Sequence, residues 1–291
     1  TKTNRIVRSA EGRLVADFGA RRAHNVDAAV YGARAAYIGG AASTATMLAG
    51  EMFGIPVSGT MAHSWVMYHH DEYTAFKRFA EIYPDNSVLL VDTYDVLASG
   101  VPNAIRVAKE VLMPMGKRLK GIRLDSGDLA YLSKKARKML DAAGLEDCII
   151  VASNSLDEFT IHSLLEQGAR IDSFGVGERL ITAKSDPVFG AVDKLVAVNK
   201  DKVCFPKIKV SETFEKITNP GQKRVWRVYN PDGFAVADLI TMADELPDPS
   251  QPIPYVDPEK PWKSMTFTDC TVRELQETVM VDGRRTKPSP S

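Results

Sequence analysis

A strand-like apolar run followed by a helix-like segment recurs through about the first 180 residues, and this alternation constrains the fold more than any other feature. The runs end near Phe18, Gly59, Val91, Leu124, Ala152 and Phe174. Segments with helical spacing stand between them, over 27–38, 73–82, 103–112, 129–143 and 156–166. Ser126-Gly127-Asp128 ahead of Leu129, and Gly144 behind Ala143, are start and stop signals for one of these helices. Strands alternating with helices of this length predict parallel βαβ units. Residues 1–200 therefore read as most of a (β/α) barrel, an architecture that takes about 250 residues in full. A doubly wound open sheet satisfies the same alternation.

Past Lys194 the texture changes. Short strands over 195–198, 203–210, 224–229 and 234–240 are joined by turns such as Asn219-Pro220-Gly221 and Pro231-Asp232-Gly233. Residues 247–261 are proline-rich and extended, 271–279 read as a last helix, and 287–291 as a frayed tail. Residues 201–291 thus form a smaller, β-rich α+β region. The chain opens on Thr1, and residues 5–12 read like the middle of a protein, so a segment upstream is expected to pack with this region.

Lys+Arg 37 balance Asp+Glu 37, which argues against a broad basic face for nucleic acid but leaves room for a local anion site. Cys148, Cys204 and Cys270 lie far apart, as reduced thiols of a cytoplasmic protein do. No apolar run reaches the roughly 18 residues of a membrane span.

The chemistry-bearing residues gather where the strand-like runs end. They are Asp17-Phe18-Gly19-Ala20-Arg21-Arg22, Ser58-Gly59-Thr60-Met61-Ala62-His63, Asp92-Thr93-Tyr94-Asp95, Arg123-Leu124-Asp125-Ser126-Gly127-Asp128, Ser153-Asn154-Ser155 and Gly175-Val176-Gly177. In barrels and open sheets that edge carries the active site. Arg123 and Asp125 alternate around Leu124 and so share one face of a strand. They could hold an anion and a ribose diol, or form a buried ion pair. Ser126-Gly127-Asp128 opens a helix whose amides are free. Asp92 and Asp95 could shape a diol or Mg²⁺–pyrophosphate site, with a strand cap as the plain alternative for Asp92. Gly175-Val176-Gly177 would let backbone amides approach a phosphate. His63 is accessible at a strand end, where a structural role is the competing reading.

These segments resemble the motifs of the nicotinate phosphoribosyltransferase family. Asp17 to Ala23 is similar to its E/D-F-G-x-R-R-A, Gly59 to Ser64 to its G-T-x-A-H-S, and Gly121 to Leu129 matches G-I-R-L-D-S-G-D-L. Gly175-Val176-Gly177 to Asp186-Pro187 and Pro206 to Ser211 follow in the family's order. The sequence departs from that pattern at Ala41 to Ala45, at Glu178 and at Asp193.

The resemblance implies an irregular α/β barrel of the type II phosphoribosyltransferases with a smaller α/β C-terminal region, and a cytoplasmic homodimer sharing active sites between subunits. It implies transfer from phosphoribosyl pyrophosphate to nicotinate, coupled to ATP hydrolysis and assisted by Mg²⁺, in salvage toward NAD. Phe18 would stack on the pyridine ring, with Arg21, Thr60 and Arg123 near the carboxylate or the phosphates. Asp125 would hold the ribose. Ser126, Gly127, Ser153, Asn154, Gly175, Gly177 and Thr182 would line the phosphoribosyl site. His63 would be transiently phosphorylated and, with Arg123 and Asp125, form the catalytic set. A nicotinamide-preferring relative and an inactive fragment are the alternatives. An aldolase or isomerase barrel would need a catalytic Lys or Glu at a strand end, and none stands there.

Overall fold

A computed structural model of the protein describes residues 1–188, 190, 193–210, 217–257 and 260–287. These divide into two compact units, one before and one after residue 189. In chain order the first unit runs α1 (Lys2–Ser9), β1 (Leu14–Asp17), α2 (Val26–Ile38), β2 (Ser43–Thr44), α3 (Met47–Phe53) and α4 (His63–Tyr68). It continues with α5 (Glu72–Ile82), β3 (Val88–Leu90), α6 (Val101–Val107), β4 (Gly121–Leu124) and α7 (Leu129–Ala142). β5 (Ile149–Ala152), α8 (Glu158–Glu166), β6 (Ser173–Val176) and α9 (Glu178–Ile181) complete it.

All six strands are parallel, in the spatial order β2-β1-β6-β5-β4-β3. Taken round a circle this is plain sequence order, with β6 returning to pair with β1. A doubly wound sheet places its first strands in the middle of the order, so the pairing selects the barrel. Leu14 to Asp17 run in register with Ser173 to Val176. The ring is open between β2 and β3. There the run expected to end near Gly59 contributes a single bridge, Thr44 to Val57, in place of a strand. Its neighbour β2 was not expected, because two residues are too short for an apolar period to show.

Capping by side chains sets several helix starts. Asp71, Asp128 and Asp157 each accept the amide three residues on, at Thr74, Tyr131 and Thr160. The segment expected over 103–112 begins earlier, because Asp95 accepts the amides of Leu97 and Ala98. α6 is consequently the middle of a longer helical run, flanked by π-helical turns at Val96–Gly100 and Ala108–Leu112. Apolar faces of these helices close over the strands in one core, in which Phe76, Phe174, Leu89, Ile122 and Ile150 are fully buried. Cys148 lies in that core, and burial pushes its thiol pKa up to about 12. The three cysteines are free thiols.

The second unit is built of antiparallel pairs. β7 (Ala197–Lys200) pairs with β8 (Val203–Pro206). β9 (Lys223–Tyr229) lies between β10 (Ala235–Met242) and a later strand, while β11 (Ile253–Val256) pairs with β12 (Ser264–Phe267). The third strand of the β9 sheet is β13 (Thr271–Glu274), and β14 (Met280–Val281) pairs with β15 (Arg284–Arg285). Val228, Ile253 and Phe267 form its small core.

Residues 271–279 are therefore not a helix. Val272 pairs with Val228 and Thr271 with Tyr229. For β-branched residues such a partner outweighs weak local preference. The strand expected over 203–210 stops at Pro206, and the extended 247–261 stretch contains β11, whose Pro254 is tolerated in a two-stranded ribbon. Ser211 of the Pro206–Ser211 motif, and residues 288–291 of the tail, lie outside the described residues. No helix among the described residues is long and apolar enough to cross a membrane.

Gly100 shows how closely the helices press on the sheet. A Cβ there would lie 1.9 Å from the Val91 carbonyl oxygen, a backbone atom that cannot rotate away. Gly100→Ala is expected to destabilise the first unit by about 3 kcal/mol, the upper end of overpacking costs, as read from urea unfolding midpoints.

Candidate active site

The carboxyl ends of the strands open onto one cleft of about 440 Å³ in the first unit, within the range of small-molecule sites. Phe18, Arg21, Thr60, His63, Arg123, Asp125, Ser153, Asn154, Gly175 and Gly177 all line it. Residues separated by more than 150 positions meet there because β1 and β6 are neighbours.

The floor is built on Asp17, the last residue of β1, which is wholly buried. Its carboxylate accepts the Gly19 amide at 2.8 Å and the Thr44 hydroxyl at 2.8 Å, so one side chain ties the turn after β1 to β2. Burial raises its pKa, and those two hydrogen bonds offset only part of the rise. The turn places the Phe18 ring on Gly175, where a Cβ would lie 2.4 Å from the ring's Cε2. Gly175 thus makes room for the aromatic ring. The Arg123 guanidinium carbon stands 5.6 Å from the centroid of the same ring.

Arg123 reaches across three loops. Its Nε donates to Ser153 Oγ at 2.9 Å, and its Nη1 donates to Thr60 Oγ1. Its Nη2 lies 3.3 Å from Asp125 Oδ1, which also accepts the Ser153 hydroxyl. Arg123 and Asp125 thus form a partly exposed ion pair, and both line the cleft. Beyond Ser153 the backbone is strained, with Asn154 and Ser155 at φ of 89° and 51°. Such conformations persist where surrounding structure holds them and cluster at binding sites.

His63 is the first residue of α4 rather than part of a loop, with its side chain 38% exposed. Its Nε2 stands 3.2 Å from Asp92 Oδ1, and Asp92 is almost wholly buried. The other Asp92 oxygen accepts the Asp125 amide at 3.1 Å and the Ser126 hydroxyl. Asp92 is thus a hub that orients His63 and the loop after β4, and it does not line the cleft. Asp95 accepts the Leu97 and Ala98 amides with one oxygen, Oδ1, and does not line the cleft. Thr182 donates to the Glu178 carbonyl at 2.8 Å, and neither it, Ser126 nor Gly127 lines the cleft.

Arg179 and Lys184 do line it, and sequence reasoning missed them. They lie on and beyond α9, past the strand end, where no alternation marks which side chains turn inward. Arg179 is held by an ion pair to Asp157. Burial works against ionisation of Asp157, but the Thr160 amide and hydroxyl and the Arg179 guanidinium outweigh it, so its pKa falls. Arg22 and Glu178 also line the cleft, 3.7 Å apart. In all, the cleft is lined by Arg21, Arg22, Arg123, Arg179 and Lys184 and by the carboxylates of Asp125 and Glu178, with Asp157 paired to Arg179 from outside the lining. A chain of zero net charge has concentrated cations at one site, where they favour anionic ligands.

A parallel (β/α) barrel with an aromatic, cation-lined cleft at its strand ends defines the general class of fold and site. Comparison with known sequences narrows this. The profile of the "Nicotinate phosphoribosyltransferase (NAPRTase) family" matches residues 14–232, and that of its C-terminal domain matches 222–291. The chain belongs to the nicotinate phosphoribosyltransferase family.

The nicotinate phosphoribosyltransferase of Bacillus subtilis is 49% identical over 97% of this chain and 57% of its own length. That of Dictyostelium discoideum is 36% identical over 96% of this chain and 56% of its own. The crystal structure of human nicotinic acid phosphoribosyltransferase superposes with a TM-score of 0.82 at 28% identity, over 100% of this chain and 64% of that one. A nicotinate-nucleotide pyrophosphorylase from Pyrococcus furiosus shares the fold, with a TM-score of 0.68 at 24% identity over 100% of this chain and 65% of that one. The chain spans little more than half the length of the sequence relatives named here.

Two outcomes follow from this geometry. Gly175→Ala should displace the Phe18 ring and weaken binding of an aromatic anion by about tenfold, the scale of one lost aromatic contact, measurable by calorimetric titration with nicotinate. Asp17 concerns stability. A carboxyl whose folded pKa is raised contributes stability below its unfolded pKa, and that contribution is lost as pH rises through the folded value. Asp17→Asn keeps an acceptor for Gly19 and cannot ionise, so urea unfolding between pH 4 and 8 should show a flatter profile than the parent.

Proposed function

We propose that the protein transfers the phosphoribosyl group of phosphoribosyl pyrophosphate to nicotinate, giving nicotinate mononucleotide and pyrophosphate, with ATP hydrolysis coupled through a phosphohistidine at His63. The observation that carries this reading is the meeting, in one cleft, of an aromatic ring, a surplus of cations and an imidazole backed by a buried carboxylate. Family membership supports the same chemistry.

In the reaction the pyridine nitrogen bonds to C1 of the ribose while the C1–O bond to pyrophosphate breaks, and pyrophosphate leaves with the electron pair. Positive charge builds on the sugar, so catalysis consists mainly of positioning and charge stabilisation. Phe18 offers a face to the pyridine ring. Arg21, Arg123 and Thr60 stand ready for the nicotinate carboxylate or the phosphates, and Asp125 for the ribose hydroxyls. The strained turn at Asn154 and the backbone at Gly177 suit the 5′-phosphate. Mg²⁺, when bound, neutralises the leaving pyrophosphate. The two carboxylates lining the cleft, Asp125 and Glu178, are paired with Arg123 and Arg22, so the cation would be held chiefly by the pyrophosphate itself.

The ATP step follows from the histidine's partner. An ionised Asp92 can only accept, so the neutral imidazole gives it the Nε2 proton and keeps its lone pair on Nδ1. Nδ1 would then bond to the γ-phosphorus of ATP as the bond from that phosphorus to the β,γ-bridging oxygen breaks and ADP leaves with the electron pair, while the Asp92 carboxylate offsets the positive charge left on the ring. In this reading the working form is a cytoplasmic homodimer whose neighbouring subunits share their sites.

Labelling with γ-³²P ATP and Mg²⁺ tests the proposal. The full chain should acquire acid-labile, base-stable phosphate, and His63→Ala should acquire none. Absence of label, together with pyrophosphate release on nicotinamide but not nicotinate, would replace this reading with a nicotinamide phosphoribosyltransferase.

A further inference from the structure

The family resemblance expects Ser153 among the phosphate ligands, yet Ser153 is only 3% exposed and its hydroxyl is already committed. It donates its single proton to Asp125 Oδ1 and accepts from Arg123 Nε at 2.9 Å. Phosphate oxygens are acceptors, so a ligand for them must have a proton to give. This hydroxyl has none left.

What it does instead is visible in the Arg123–Asp125 pair. Their direct contact, Nη2 to Oδ1, is 3.3 Å, an ion pair longer than a charge-assisted hydrogen bond. The hydrogen-bonded path between them runs through Ser153. On the opposite side, Nη1 of Arg123 is held by Thr60. Two hydroxyls from two different loops therefore grip the guanidinium and fix its plane. Ser153 and Thr60 leave one N–H on Nη1 and both on Nη2 unused, with Nη2 lying beside Asp125.

We propose that Ser153 is a positioning residue. It sets the plane of Arg123 and the rotamer of Asp125, and so decides which N–H groups and which carboxylate oxygen face the ligands, while touching no ligand itself. The kinetic consequence rests on the function proposed above; the positioning does not.

Two measurements separate these. In ¹⁵N-arginine-labelled protein, Arg123 Nε–H should give a resonance slow to exchange with water, assigned by its loss in Arg123→Lys. It should broaden or vanish in Ser153→Ala and persist in Ser153→Thr. The kinetic arm is a double-mutant cycle on kcat/KM for nicotinate, with thermal melts confirming that each variant folds. Ser153→Ala alone should cost about tenfold, as for one hydrogen bond to a charged group, and Ser153→Thr should recover most of it. Added to Arg123→Lys, Ser153→Ala should cost less than about twofold more, because the two act through one interaction.

Losses that multiply in full, or a Ser153→Ala defect confined to the KM for phosphoribosyl pyrophosphate, would make the hydroxyl a direct ligand and overturn the proposal. An Arg123 Nε–H signal unaffected by Ser153→Ala would overturn it as well. A parent protein that turns over no nicotinate would instead sink the proposed function, and the resonance would still decide the role of Ser153.

Discussion

The pairing of β1 with β6 is the contact on which the site depends. It joins segments some 160 residues apart in the chain, Leu14–Asp17 and Ser173–Val176, through a full parallel ladder. A parallel ladder is pinned by backbone hydrogen bonds along its length, so the ends of the two strands are placed with little freedom. Phe18 and Gly175 meet for that reason alone. Gly175 leaves the ring a seat, Asp17 beneath it fixes the turn, and the ring then stands beside Arg123. Without that one pairing the same residues would belong to two separate loops.

Around this frame the polar side chains act on one another more than on open solvent. Asp92 serves His63 with one oxygen and the β4 loop with the other. Arg123 binds three neighbours and still offers N–H groups to the cleft. Shared partners of this kind hold side chains in place before a ligand arrives, which lowers the entropy lost on binding. The same economy makes the site intolerant of change, since removing one group leaves another buried without its partner.

Much of this was readable in the residues themselves, and the failures have physical causes. The strand ends at Phe18, Val91, Leu124 and Ala152 were legible because apolar runs stop at polar clusters. Ten of the expected site residues share the cleft because they lie at or close beyond the carboxyl ends of the apolar runs. Period alone could not separate barrel from open sheet; that distinction lies in the β1–β6 pairing, which spans most of the first unit. Ser126, Asp92 and Thr182 carry the right chemistry at the right height, but their hydrogen bonds turn them toward the protein. Arg179 and Lys184 were invisible because they lie on and just beyond a short helix past the strand. The helix read over 271–279 failed because partners in β9 decide the conformation there.

The break in the ring between β2 and β3 has a consequence of its own. Everywhere else adjacent strands are stitched by backbone, but beside this gap the neighbouring segment holds to β2 by one bridge at Val57. Near the strand ends the opening is spanned by side chains instead, with His63 meeting Asp92 and Thr60 meeting Arg123. The barrel is closed there by an imidazole and a hydroxyl that also face the cleft. Its clasp and its chemistry are made of the same atoms, so a change in the charge or substituents of that imidazole is also a change in how the ring is fastened.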